Sequence, residues 1–245
     1  MSKSNSFVKN LKNINRSINS LLEKNLNKLK FNNLIKLAKS NKSILTFVAV
    51  IFLFLSYLLI PNFYKQVEIS KELKNELLNS FNLNFQFSKN LNYNFFPRPH
   101  FSTNEANIII NQNKVSEIEE IKIYVSLENL FSLKNMKINE VVIENANFNL
   151  NNRNSNFFIK LLDNSFIQTN LKIKDSNVFF RNLKNEVLII NKIIKMKYFY
   201  EPNELKNVLY SENKIFNIPY NITLYKNYED KKYYSKLNFN FLKLQ

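Results

Sequence analysis

Residues 43–60, SILTFVAVIFLFLSYLLI, contain no charged side chain, and Lys42 and Lys65 bracket the uncharged run. The apolar part, Ile44–Ile60, is 17 residues long. As a helix it would reach about 26 Å, which is close to the hydrocarbon thickness of a bilayer. A buried core helix would show a polar stripe, and a signal peptide would begin nearer to residue 1. The stretch therefore predicts a transmembrane helix over residues 43–63.

The positive charge of the chain is concentrated before this stretch. Residues 1–42 hold ten Lys or Arg and one acid, a net charge of +9, whereas the other 203 residues hold 25 and 18, a net charge of +7. By the positive-inside rule, residues 1–42 are a basic cytoplasmic tail. Apolar residues recur in this tail at nearly helical spacing, so it is either an amphipathic helix on the inner leaflet or a loosely ordered orientation signal. Residues 64–245 are then expected on the periplasmic side of a bacterial inner membrane.

The chain contains neither cysteine nor glycine. Without cysteine, an exported domain must rest on packing alone. Without glycine, the turns need another residue at positive φ, and Asn is the abundant residue that tolerates it best.

The pattern after the apolar stretch changes from helical to strand-like. Val67, Leu73, Leu77 and Phe81 lie on one stripe and predict a helix over about 64–80. From Asn84 onward the apolar period becomes two, which is typical of antiparallel strands with one apolar face. This alternation recurs in segments 84–88, 121–127, 145–151, 218–224 and 236–241. Short helices are expected over Leu127–Leu133 and Asn156–Leu162. The fold class is therefore mainly β with an N-terminal transmembrane helix.

The residue types of most catalytic sites are scarce. His100 is the one histidine, and without Cys or Gly the chain has no thiol nucleophile, no P-loop and no dinucleotide fingerprint. The carboxylates are scattered, and no metal ligand set is apparent. We therefore expect a protein that is not an enzyme, has no cofactor and binds no nucleic acid.

An ordered set of short motifs resembles the AsmA-like proteins of Gram-negative envelopes. After the apolar stretch and the helix, Phe96-Pro97-Arg98-Pro99 begins a strand, and Ser126-Leu127-Glu128-Asn129-Leu130 ends the next one. Asn145-Ala146-Asn147-Phe148 ends a third strand, Asn156-Phe157-Phe158 begins a helix, and Ile218-Pro219-Tyr220 begins a later strand. The resemblance covers about residues 40–245, without the glycines usual in these turns, and describes a short or truncated member.

This resemblance implies an antiparallel, curled, groove-like sheet that binds or conducts phospholipid and supports outer-membrane assembly and lipid homeostasis. Burial of hydrocarbon contributes about 0.8 kcal/mol per CH₂ group, so an apolar groove would hold lipid without catalytic groups. The alternation assigns the lipid-lining side chains as follows: Ile121, Ile123, Val125, Ala146, Phe148, Leu150, Ile222, Leu224, Phe239 and Phe241.

Three alternatives remain open at this level. The same apolar residues could fill a closed core. The chain could be a membrane-anchored scaffold that docks envelope proteins by pairing with its C-terminal edge strand, because the strand-like segment 236–244 has no element after it. It could also be a jelly-roll module of the kind used in lipid export, which predicts two facing sheets.

Overall fold

The fold is described from a computed structural model, which covers residues 42–110, 112–128, 130–163, 168–227 and 231–239. The basic tail before Lys42 and the expected lining residue Phe241 lie outside the described residues. The chain divides into two compact units between Ser56 and Tyr57. Helix α1 (Lys42–Leu59) runs across this boundary and continues into a 3-10 turn, Ile60–Phe63. Residues Leu45–Phe63 form a segment long and apolar enough to cross a membrane. Buried residues make up 11% of this segment.

The second unit consists of helix α2 (Gln66–Phe81), ten strands and short helical segments. Helix α2 confirms the predicted helix over about 64–80. The strands are β1 (Asn84–Phe87), β2 (Asn92–Asn94), β3 (His100–Ile110), β4 (Asn113–Val125), β5 (Ile138–Leu150), β6 (Asn170–Arg181), β7 (Val187–Glu201), β8 (Lys206–Ile215), β9 (Ile218–Lys226) and β10 (Tyr233–Phe239). The short segments are the α-helix α3 (Phe157–Lys160) and the 3-10 turns Leu133–Asn135 and Leu161–Asp163. The predicted helix over Leu127–Leu133 was wrong, because the described residues before Leu133 form a turn.

All ten strands belong to one sheet, in the order β1-β3-β4-β5-β6-β7-β8-β9-β10, and β2 pairs with the beginning of β3. The mainly β class is therefore confirmed. The expected antiparallel sheet is confirmed for most of the strands, and the exception is the parallel pair β5 and β6. Parallel neighbours need a crossover, and the segment with α3 supplies it.

The expectation of a curled, groove-like sheet was also wrong. The sheet is open, with β1 and β10 at opposite ends of the strand order, and it is neither closed nor curled. Helices α2 and α3 pack against the apolar face over most of the sheet. The strands beneath them therefore do not need to curl in order to bury their apolar side chains. The two facing sheets of the jelly-roll alternative are likewise absent among the described strands.

Helix α2 packs on the sheet through one stripe. Ile69, Leu73, Leu77 and Phe81 recur every fourth residue and are buried to 2% exposure or less. They belong to the same apolar cluster as the inward side chains of the sheet, including Phe85. This stripe explains why the sequence forms a helix here: its other sides carry Glu and Lys, which remain in water.

A row of irregular residues crosses five strands of the sheet. At this row, two successive residues of the core face are three positions apart in each strand instead of two. These pairs are Thr103 and Ala106, Ile118 and Ile121, Ile143 and Ala146, Ile173 and Ser176, and Ile193 and Met196. Glu105, Asn145 and Asp175 take positive φ at the row. Strands β3 to β7 keep one register across the row, so the irregular residue of each strand lies beside that of the next, and both halves of each strand present apolar side chains to the same face.

Candidate functional site

The nine described residues that were assigned to lipid lining fall into two groups. Six are fully buried, at 4% exposure or less: Ile121, Ile123, Val125, Ala146, Phe148 and Leu150. On β9, Ile222 and Leu224 are half-buried, and on β10 Phe239 is 45% exposed. The assigned residues on β4 and β5 therefore lie in the core, whereas those on β9 and β10 lie closer to the surface.

The six buried residues pack in a filled core rather than along a trough. The Phe148 ring lies 5.7 Å from Phe157 and 5.3 Å from Phe158, both of α3. Phe81 of α2 makes an edge contact at 6.2 Å with Tyr198 of β7. The closed-core alternative describes this part of the domain, because helical side chains occupy the positions that lipid would need.

The apolar face continues without full cover onto β9 and β10. The register pairs Ile222 with Leu237 and Tyr220 with Phe239, so these four side chains lie on the face of the sheet that carries the core. Ile218 lies on the same face, opposite Ile215 of β8. We call Ile218, Tyr220, Ile222, Leu237 and Phe239 the open apolar face. Ile218 is 46% and Leu237 50% exposed, so apolar surface is presented to solvent there.

A polar network separates the open apolar face from the packed core. The Tyr220 hydroxyl donates to Asn191 Oδ1 at 2.9 Å, and the Ser211 hydroxyl donates to Asn213 Oδ1 at 2.8 Å. The Asn191 and Asn213 side chains are joined at 3.4 Å, and all but Tyr220 are 9% exposed or less. Buried polar groups that satisfy one another fix the register of β7, β8 and β9 at this point.

Asp163 connects the short helical segment to the last two strands. Its carboxylate accepts a hydrogen bond from Lys226 of β9 at 2.7 Å and another from the Tyr233 hydroxyl of β10. Burial raises the pKa of Asp163, but the hydrogen bonds from Lys226 and Tyr233 outweigh burial and lower it overall. The carboxylate therefore remains ionised near neutral pH and holds β9 and β10 against the helical segment.

On β4, β5 and β6 the opposite face of the sheet carries several ion pairs. Glu140 of β5 accepts from Arg98 at 2.8 Å and pairs also with Lys172 of β6. Glu144 pairs with Lys174 at 2.7 Å and with Lys122 at 3.6 Å. These three strands thus present charged side chains on one side and apolar ones on the other. A ligand for the open apolar face would itself be apolar, because that face carries aliphatic and aromatic side chains.

The assignment from sequence missed several members of this site. Ile218, Tyr220 and Leu237 follow the same alternation as Ile222 and Phe239 and could have been found from it. The buried Asn191 and Asn213 had no signal, because Asn occurs throughout the chain, mostly in exposed turns and strand faces. Among the residues that the structure describes, no group of three or more His, Cys, Asp or Glu could hold a metal ion.

No protein-family model matches the sequence, and no curated protein matches it.

Proposed function

We propose that this protein is anchored in a membrane by helix α1 and binds lipid acyl chains on its open apolar face. The observation that carries the proposal is on β9 and β10, beyond the polar network of β7 and β8, where the core face of one continuous sheet carries apolar side chains that are partly or largely exposed. Monomeric soluble domains cover such faces, and a contiguous exposed apolar patch is typical of an interaction site.

An acyl chain fits this surface for energetic reasons. Each buried CH₂ group contributes about 0.8 kcal/mol, so a chain lying along several paired residues gains several kcal/mol without any hydrogen bond. The open apolar face offers aliphatic and aromatic side chains in adjacent pairs, Ile222 with Leu237 and Tyr220 with Phe239. The neighbouring polar network provides amide and hydroxyl groups beside this apolar strip.

The anchor places the domain beside its ligand. The segment Leu45–Phe63 has a mean hydropathy of 2.1, and the tail before it carries most of the excess positive charge. The positive-inside rule supports a cytoplasmic tail and a periplasmic domain on a bacterial inner membrane. Together with the motifs that resemble AsmA-like proteins, this supports a role in outer-membrane assembly and lipid homeostasis.

Photo-crosslinking with matched positions on one strand tests lipid binding. Benzoylphenylalanine would replace Leu237, which lies on the open apolar face, or Lys236, which lies on the other face of β10. After irradiation in cells, the full-length protein is purified and its adducts are identified by mass spectrometry. We expect phospholipid adducts at position 237 and few at position 236. Equal adducts at both positions, or none at either, would overturn the proposal.

A second candidate function follows from the edge of the sheet. Among the described strands, β10 pairs only with β9, so one edge of β10 is not used by another described strand. Such an edge can accept a strand from an envelope protein. In the crosslinking experiment this scaffold role predicts protein adducts at both positions 236 and 237, because an added strand would lie beside both faces.

A further inference from the structure

The loops around the end of the apolar helix form an apolar surface. Phe96 is 78% exposed and Phe95 44% exposed in the connection between β2 and β3. Phe131 is 65% exposed and Leu127 49% exposed in the connection between β4 and β5. We call these four residues the collar. They lie at the ends of strands where β3 begins and β4 ends, opposite to the β3–β4 turn.

Hydrogen bonds fasten the β4–β5 connection, and strand β2 directly before the other loop, to the last residues of the membrane-spanning segment. The Tyr57 hydroxyl donates to the Leu127 carbonyl at 2.6 Å and accepts from the Leu130 amide at 3.1 Å. The Tyr93 hydroxyl of β2 donates to the Leu58 carbonyl at 2.8 Å. Just past the segment, the Tyr64 hydroxyl donates to the Leu130 carbonyl at 2.8 Å. The collar is therefore attached to residues that belong to the segment Leu45–Phe63 itself.

From these contacts we infer that the collar inserts into the membrane interface and seats the domain on the bilayer surface. This inference rests on the proposed anchoring by α1. Tyr57 precedes Phe63 by six residues, which is about 9 Å along a helix. If Leu45–Phe63 fills the hydrocarbon layer, a loop held by Tyr57 lies at or below the level of the lipid head groups.

The chemistry of the loops suits that environment. Backbone groups that leave water need partners, and the tyrosine hydroxyls satisfy the Leu127 carbonyl and both polar groups of the Leu130 backbone. Exposed aromatic side chains are favoured at the membrane interface. The basic residues near the collar are Lys65, Arg98, Lys134 and Lys137; Lys65 pairs with Glu68 and Arg98 with Glu140. Lys134 and Lys137 lie in the same connection as Phe131, and long basic side chains beside an apolar patch can reach the phosphate groups of lipids.

Fluorescence of introduced tryptophan measures the depth of the collar, because the chain contains no tryptophan of its own. The variants are Phe96→Trp and Phe131→Trp in the collar, Phe52→Trp within the apolar segment, and Phe216→Trp in the β8–β9 turn. All four positions are exposed, at 65% or more, so the larger ring adds no strain to the core. Phe216 is the matched control, since it follows the end of β8 that lies away from the collar.

Each full-length variant is reconstituted in nanodiscs with lipids brominated near the head group or near the middle of the acyl chain. We expect Phe96→Trp and Phe131→Trp to lose most emission with the shallow bromines, and Phe52→Trp with the deep ones. Phe216→Trp should keep its emission with both. If the two collar variants behave like Phe216→Trp while Phe52→Trp is quenched, the collar inference is overturned and the anchor stands. If Phe52→Trp is not quenched either, the anchoring proposal itself fails.

Discussion

Asn145 of β5 and Asp175 of β6 lie side by side in the sheet, and both have left-handed backbones, with φ of 55° and 46°. Regular ladder pairing is interrupted on both strands at this point. The Ser176 hydroxyl replaces the missing contacts, accepting from the Ala146 amide at 2.9 Å and donating to the Lys174 carbonyl at 2.7 Å. The irregular row is therefore a satisfied feature of the fold, and it keeps apolar side chains on one face over the long strands.

The conformation of Asn145 predicts an unusual response to substitution. A β-branched residue is strained at positive φ, so Asn145→Val should lower the free energy of unfolding by about 1–2 kcal/mol. Asn145→Gly should be close to neutral, because glycine adopts this conformation freely. Asn221→Val on β9, where φ is not positive, is the control and should change little. Circular dichroism during chemical denaturation in detergent measures all three. Equal losses for Val and Gly at position 145 would contradict the assignment.

The irregular row also shows what the sequence could predict. Ile121–Val125 and Ala146–Leu150 each alternate correctly, and the structure places both sets on the core face. Alternation alone could not show that Ile143 and Ala146, three residues apart in one strand, point the same way. The expectation that Asn replaces glycine is confirmed in part: Asn82, Asn145, Asn185 and Asn217 have positive φ, but six other described residues do as well.

The sequence predicted where strands occur better than it predicted which strands pair or which apolar side chains a helix covers. A period of two identifies the buried face of a strand but not its neighbour, so the parallel pairing of β5 with β6 could not be recognised. At the candidate site, alternation likewise could not show which apolar side chains another element covers. The residues Phe148 and Phe239 have equivalent patterns in sequence, yet α3 covers the former and the latter is 45% exposed.

Because Phe148 is covered by α3 and the open apolar face is not covered, shortening a side chain at the two places should lower the free energy of unfolding by different amounts. Phe148→Ala removes a fully buried ring and should lower the free energy of unfolding by about 3–5 kcal/mol. Leu237→Ala on the open apolar face should change it by about 0.5 kcal/mol or less, because the side chain is half exposed. Phe148→Asp should prevent folding, since it buries an unpaired charge. Comparable losses for Phe148→Ala and Leu237→Ala would show that β10 belongs to the packed core.

Glu140 should make stability depend on pH. Burial raises its pKa, but hydrogen bonds from Lys172 and Arg98 outweigh burial, and the net pKa is lowered. A lowered pKa in the folded state stabilises the fold above the unfolded value of about 4.3, and this contribution disappears as pH falls through the folded value. Glu140→Gln should therefore cost about 1–3 kcal/mol at pH 7 and progressively less below pH of about 4.

The control for this prediction is Glu105→Gln, which breaks an exposed pair with Lys89. Exposed pairs contribute about 1 kcal/mol or less, so this variant should show a smaller change at every pH. Thermal unfolding of both variants between acidic and neutral pH distinguishes them. A cost for Glu140→Gln that does not vary with pH would mean that the side chain acts through packing rather than charge.

Asp163 should control the stability of the last two strands locally. Asp163→Asn keeps the size of the side chain but removes the charge that attracts Lys226, so β9 and β10 should open more often. Hydrogen exchange measured by mass spectrometry on the full-length protein should then be faster in peptides from β9 and β10 and unchanged in β3–β5, where α2 and the core hold the strands. Glu117→Gln, which breaks an exposed pair with Lys114, should leave exchange in β9 and β10 unaffected. Uniformly faster exchange across the sheet would instead show that Asp163 supports the whole fold, and no change in β9 and β10 would show that its contacts with Lys226 and Tyr233 contribute nothing to holding them.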